Sequence, residues 1–113
     1  MNGSLWTNYN KEREGNETVV DDQGRGFVEF RLLGETLIIE GLHVEKQFRR
    51  SGVGTGLMAR AIAGNPSAKF LFARVGTHYL NATESLKACL GYGFRLSGLD
   101  GSYILLSKEI ENG

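Results

Sequence analysis

Arg49-Arg50-Ser51-Gly52-Val53-Gly54 is the stretch on which the fold turns. It follows the apolar run from Leu37 to Val44 and opens a segment with helical periodicity. A basic turn, two glycines two apart and a helix start make a site for a phosphorylated ligand. The first N–H groups of a helix lack intrahelical acceptors and carry partial positive charge. Glycine lets such a ligand approach backbone that a Cβ would shield.

Upstream of this turn, Thr36–Val44 is almost continuously apolar, which predicts a central strand covered on both faces. Before it, Phe27–Leu33 alternates, with Val28, Phe30 and Leu32 on one face and Glu29 and Arg31 on the other. Gly34-Glu35 between them suits a two-residue hairpin turn. Glu17–Asp21 predicts a short strand followed by a turn over 22–26. Residues 1–17 are polar apart from Leu5, Trp6 and Tyr9, with one short strand at Leu5–Tyr9. Downstream, Val53, Leu57, Met58, Ala61 and Ile62 form a helical stripe ending near Gly64-Asn65-Pro66.

Phe70–Val75 follows as a buried strand, so strand, helix and strand predict a right-handed parallel crossover. Asn81–Leu90 is a second helix, with Ala82, Leu86, Cys89 and Leu90 on one face. Asn81 or Thr83 would cap it, Glu84 suits its first turn, and Gly91-Tyr92-Gly93 ends it. Phe94–Leu99 and Ser102–Glu109 predict a hairpin around Asp100-Gly101. The whole is one α/β domain over residues 1–113, with a mixed, mostly antiparallel sheet, one parallel strand pair and two main helices.

Composition narrows the function. Thirteen basic residues balance thirteen acidic ones, so no overall field draws the chain to nucleic acid or an anionic membrane. Lys46, Arg49 and Arg50 cluster locally, as an anion site would require. Cys89 is alone, which excludes an internal disulfide and fits a reducing cytoplasm. No apolar stretch is long enough to span a bilayer. His43, His78 and Cys89 lack the close spacings of a zinc site, so no metal is expected.

Three loops compete for the glycines. A P-loop needs G-x-x-x-x-G-K-[ST], and no lysine follows these glycines. A dinucleotide fingerprint needs G-x-G-x-x-G directly after a strand. Gly52, Gly54 and Gly56 give G-x-G-x-G behind a charged turn instead. The third pattern fits: Arg49-x-x-Gly52-x-Gly54 resembles the R/Q-x-x-G-x-G/A motif of the Gcn5-related N-acetyltransferases (GNAT). Leu42-His43-Val44 before it, and Asn81…Ser85-Leu86…Gly91-Tyr92-Gly93-Phe94 after it, resemble the same family. The resemblance spans roughly residues 27–108 and is nearest to the compact acetyltransferase-like proteins of tailed phages.

The resemblance implies acetyl-coenzyme A as co-substrate and a primary amine, on a protein or a small molecule, as acceptor. The pyrophosphate would sit on the N–H groups of Arg50, Ser51, Gly52, Val53, Gly54 and Thr55, with the Arg49 and Arg50 side chains nearby. Pantetheine would pair with backbone at Leu42, His43 and Val44, bordered by Asn81 and Ser85, and an N–H near Val44 would polarise the acyl carbonyl. Glu40 is the base candidate, as a carboxylate in an apolar strand should have a raised pKa. His43, an imidazole on the same strand, could relay the proton. Many family members carry an acidic tyrosine at a position that falls here on Lys87, Ala88 or Cys89. Tyr92 and Tyr79 are the nearby alternatives, and Cys89 is read as a buried structural thiol.

The family's usual strand and two helices before the central hairpin are not evident in residues 1–17. The acceptor side is therefore expected to be open or completed by a second copy in a homodimer. Two other readings stand beside the enzyme: a non-catalytic acyl-coenzyme A-binding or protein-interaction module, and a binder of another phosphorylated ligand.

Overall fold

The computed structural model describes residues 15–110, so the strand expected at Leu5–Tyr9 lies outside the described residues. Six strands form one sheet: β1 (Glu17–Val20), β2 (Gly26–Leu33), β3 (Thr36–Val44), β4 (Phe70–Gly76), β5 (Arg95–Asp100) and β6 (Tyr103–Glu109). Their order is β1-β2-β3-β4-β6-β5. Only β3 and β4 run parallel, and α1 (Val53–Ala63) makes the crossover between them. The second helix, α2 (Ala82–Tyr92), joins β4 to β5, and Lys46–Phe48 forms a single 3₁₀ turn between β3 and α1.

Local chemistry sets most of these limits. Gly34 adopts φ +63° in the two-residue turn that pairs Leu33 with Thr36. At the other hairpin the turn is Gly101-Ser102, one residue later than the sequence suggests. Asp100 pairs with Tyr103, and Gly101 supplies the positive φ of +60°. The second helix runs through Gly91 and Tyr92 and stops at Gly93, φ +113°. There the Gly93 N–H donates to Leu90 O at 3.1 Å and the Phe94 N–H to Cys89 O at 3.0 Å. These two bonds are a Schellman ending, which explains why helix termination waits for the second glycine.

The core lies on one face of the sheet. Val28, Phe30, Leu37, Leu71, Ala73, Val75 and Leu106 point into it and meet Val53, Leu57, Met58 and Ala61 of α1. Ala82, Leu86 and Cys89 of α2 pack against the same cluster. Both helices therefore cover this face. The alternate residues of the central strands, Ile38, Phe72, Arg74, Tyr103 and Leu105, belong to the opposite face. No described helix packs there. The near-continuous apolar run of β3 thus misleads on coverage: Ile38 and Ile39 are only half-buried and Leu42 is 46% exposed.

β3 carries one irregularity. Glu29 pairs with Gly41 but Phe30 pairs with Ile39, which leaves Glu40 as the extra residue of a β-bulge. The bulge resets the alternation. Leu37 and Ile39 face the core before it, whereas Leu42 and Val44 face α1 after it.

A split between parallel strands, topped by a backbone cradle

β3 and β4 begin as ladder partners and then part. Pairing runs from Thr36↔Phe70 to Ile39↔Ala73 and stops. Beyond it, β3 continues to Val44 on β2 alone, and β4 continues to Gly76 on β6 alone. The bulge at Glu40 stands at the point of separation, because the extra residue bends its strand and adds twist. The result is a gap between two parallel strands, open at their carboxyl ends, with unpaired β3 backbone along one wall.

The turn from β3 into α1 caps that gap. Arg49 Nε donates to the Val44 carbonyl at 3.0 Å, tying the turn to the strand end. Ser51 Oγ donates to the Phe48 carbonyl. Arg50, φ +66°, and Gly52, φ +89°, are both left-handed, so the chain coils sharply into the helix. No side chain caps α1, and the first donor satisfied is Gly56 N–H, on Gly52 O at 2.9 Å. The six preceding N–H groups, Arg50 to Thr55, donate to no described residue. Consecutive unpaired N–H groups at a helix start form a concave anion site.

The two motif glycines do different work. At Gly52 a Cβ would meet nothing within 4 Å, and the requirement is its left-handed φ. At Gly54 a Cβ would stand 3.7 Å from Val44 Cγ2 and 3.9 Å from Leu42 Cδ2. Gly54 therefore sets how closely α1 lies on β3 and does not itself face the ligand side. Beside the loop, Asp21 accepts from Arg25 Nε at 2.7 Å and Arg25 Nη2 at 2.9 Å, which closes the β1–β2 turn on itself, and the turn lines one groove with the start of α1. That hydrogen bonding, with the Arg25 and Gln23 backbone N–H groups, holds the Asp21 carboxyl well below the usual carboxylate range. Asp22 lies 3.6 Å from Arg60, so each carboxylate in this groove already faces an arginine.

The remaining sequence candidates divide by position. Glu40 lies at the split on the helix-free face, where Oε1 accepts from Arg31 Nε at 2.9 Å. Its neighbour is thus a guanidinium, where the strand composition suggests an apolar wall. His43 is exposed beyond the bulge, its ring 6.0 Å from Phe27. Asn81 occupies the N-cap position of α2 with no side-chain cap bond, and its carbonyl accepts from the Ser85 N–H at 3.0 Å. Asn81 and Ser85 sit at the end of α2 nearest the split. Tyr92 does not. It ends the same helix about 16 Å away by helical rise, packed 6.0 Å from Phe94 with Lys108 Nζ 5.9 Å from its ring. Burial pushes its phenol pKa up. Cys89 is half-buried on the core side, and burial raises its thiol pKa as well.

Sequence reasoning misses a cluster at the carboxyl end of β4. The His78 ring stacks 4.2 Å from Tyr79 and meets Tyr103 edge-on at 5.6 Å. The Arg74 guanidinium lies 4.8 Å over the same Tyr103 ring. Thr77 binds the Ser102 carbonyl through both its N–H and its hydroxyl, each at 2.8 Å, and Ser102 Oγ lies 3.4 Å from His78 Nδ1. Gly76 permits this closure, since a Cβ there would fall 2.7 Å from the Tyr79 ring. The one local signal is a glycine followed shortly by His78-Tyr79. Its partners come from the distant β5–β6 hairpin, which no local pattern reveals.

Residues 5–93 match the family model described as the acetyltransferase (GNAT) family, more than half of the chain. The chain belongs to the GNAT acetyltransferase family. Among solved structures, its fold is similar to that of the PaiA N-acetyltransferase from Thermoplasma acidophilum, crystallised with coenzyme A. That match has a TM-score of 0.72 at 15% identity and covers 95% of this chain and 69% of the other. A GNAT family acetyltransferase from Elizabethkingia anophelis, with acetyl-CoA bound, matches at TM-score 0.65 and 21% identity. It aligns with 96% of this chain, over 84% of its own length. No curated protein sequence matches. Among its described residues this GNAT chain combines a six-stranded mixed sheet, one parallel pair and two α-helices. Among the described residues, no group of three His, Cys, Asp or Glu side chains could hold a metal ion. None of their helices is long and apolar enough to cross a membrane.

Proposed function

We propose that this GNAT protein transfers an acetyl group from acetyl-coenzyme A to a primary amine, on a protein or a small molecule. One observation carries the reading: the N–H groups of Arg50 to Thr55, with no acceptor among the described residues, top a gap between parallel strands where the β3–β4 ladder has ended. A phosphate-bearing head and a long amide-bearing arm match those two features together. The bound co-substrate would supply an activated acetyl thioester.

Each residue of the site then has a role. The cradle from Arg50 through Ser51, Gly52, Val53 and Gly54 to Thr55 holds the pyrophosphate, with Arg50 adding a nearby cation. Arg49 fixes the loop through the Val44 carbonyl, so its part is chiefly positional. Leu42, His43 and Val44 offer backbone to the arm, and Asn81 and Ser85 border it. Glu40 accepts the proton that the acceptor ammonium must lose, directly or through water. Solvent protonates the departing thiolate, as Tyr92 is out of reach. A homodimer would use β5, an edge strand exposed along its whole length, with Leu96 64% and Leu99 77% exposed.

Titration calorimetry with acetyl-coenzyme A is the first test, and binding in the micromolar range is expected. Absence of binding at millimolar ligand would sink this reading and its non-catalytic variant together. Binding without thiol release across an amine panel would leave the coenzyme module and remove the enzyme.

A further inference from the structure

On the helix-free face, the point where β3 and β4 part carries three side chains in a row across the strands. Arg31 on β2 pairs with Glu40 on β3, and the next residue across, after the last pair Ile39↔Ala73, is Arg74 on β4. Ala73 and Val75 on either side of Arg74 point into the core, so Arg74 rises on the same face as Arg31 and Glu40. Arg31 has its carboxylate. Arg74 has none among the described residues: its guanidinium is exposed and lies 4.8 Å over the Tyr103 ring. That stacking holds the planar group by its face and leaves its N–H edge free for an oxyanion. Tyr103 is itself fixed, edge-on to His78, which Tyr79 and the Ser102 hydroxyl hold from its other sides.

Glu40 and Arg74 therefore stand on the two strands that part, each one residue beyond the last ladder pair and both on the helix-free face. We propose that Arg74 binds an anionic group of the acceptor, so that the acceptor is an amine carrying a carboxylate or phosphate a few bonds from its nitrogen. Glu40 meets the ammonium end and Arg74 the anionic end. This fixes the nitrogen over the split, and it rests on the acetyl-transfer reading. An acceptor presenting only a cationic amine leaves Arg74 unsatisfied and meets a like charge beside its binding carboxylate.

The test measures kcat and KM on the full chain for three arms: amino acids, amino-alkyl phosphates, and the matching amines without the anionic group. Acetyl-coenzyme A affinity is measured in parallel by calorimetry. The expected result is preference for one of the anionic arms, with the two arms separating carboxylate from phosphate. Arg74→Gln should lower kcat/KM for that arm about 10- to 100-fold, mainly through KM, as expected for one lost charge-assisted contact. The amine without an anion should not change, Arg74→Lys should recover part of the loss, and acetyl-coenzyme A affinity should stay within about twofold. Equal use of all arms by the wild type, or the same loss in every arm on substitution, would overturn the proposal. So would a protein that binds acetyl-coenzyme A but acetylates no anionic amine. Failure to bind acetyl-coenzyme A at all would instead strike the donor reading on which the proposal stands.

Discussion

The donor end and the acceptor face proposed for this molecule are built from different materials. The donor end is backbone: the gap between β3 and β4, and the N–H groups of Arg50 to Thr55, arise from one contiguous segment. The acceptor face is side chains: Arg31, Glu40, Arg74, Tyr103 and His78 come from separate strands, a bulge and a loop. Backbone recognition constrains only a few residues strongly, the glycines and the left-handed turn, and those are what a short motif records. Side-chain recognition can change at any one position without disturbing the fold. The contrast explains why the donor reading can start from a short motif in 113 residues, while the acceptor proposal needs the geometry of separate strands.

The largest expected effect breaks the donor end without touching its donors. Gly54→Val adds branches where even a Cβ would lie 3.7 Å from Val44 Cγ2, so the start of α1 must lift from β3. Acetyl-coenzyme A binding should fall below detection by calorimetry at millimolar ligand, with a stability cost of about 1–3 kcal/mol. Gly54→Ala is the paired control. It fits at ordinary contact distance, improves helix propensity by roughly 1 kcal/mol, and should retain affinity. Equal loss in both would mean that Gly54 faces the ligand after all.

Next in size is Glu40→Gln, which tests the acceptor side alone. It should lower kcat about 100-fold or more, the usual contribution of a general base, with acetyl-coenzyme A affinity unchanged. Arg31 should then face a neutral amide in place of its carboxylate partner. A steady-state pH profile decides the role: if the variant keeps the wild-type rate at every pH, Glu40 takes no proton.

Much of the fold is legible in the sequence because its determinants are local. The alternation in Phe27–Leu33, the stripe from Val53 and the stop at Gly93 each act within a few residues. The turn at Gly101-Ser102 reads one position early because the register of Asp100 with Tyr103 is set across strands. The bulge at Glu40 leaves no local trace for a similar reason, since it exists only relative to β2. The exposed side of β3 reads as covered because apolar composition says nothing about whether a layer is present. Helix rise places Tyr92 at the opposite end of its helix from Asn81. It cannot reveal the His78 cluster, as Ser102 and Tyr103 reach it from a separate hairpin.

A smaller effect concerns the wall shared by the donor loop and the β1–β2 turn. Asp21 has its carboxyl pKa depressed, chiefly by its hydrogen bonds from Arg25. A depressed carboxylate contributes stability that is fully present above its unfolded pKa, about 3.9, and is lost as pH falls toward the folded value. Asp21→Asn should therefore lower Tm by a few degrees at pH 7, and the gap from wild type should narrow steadily as pH falls below about 4. A gap constant over that range would show that the turn is held by shape and not by charge.

The smallest expected effect is at Cys89, and it separates the two halves most cleanly. Its thiol is half-buried, and burial raises its pKa, which suppresses the thiolate needed for nucleophilic attack. It also lies near the end of α2 distant from the split, close to the Gly91-Tyr92 terminus. Cys89→Ser should leave kcat and KM within about twofold, costing only packing against the core. Wild-type protein given acetyl-coenzyme A should show no acetyl adduct on Cys89 by intact mass spectrometry. An adduct that forms and decays at the rate of turnover would move the chemistry from the open face to the helix side of the sheet. The proton acceptor would then have to lie there, and the pairing of Glu40 with Arg74 would lose its purpose.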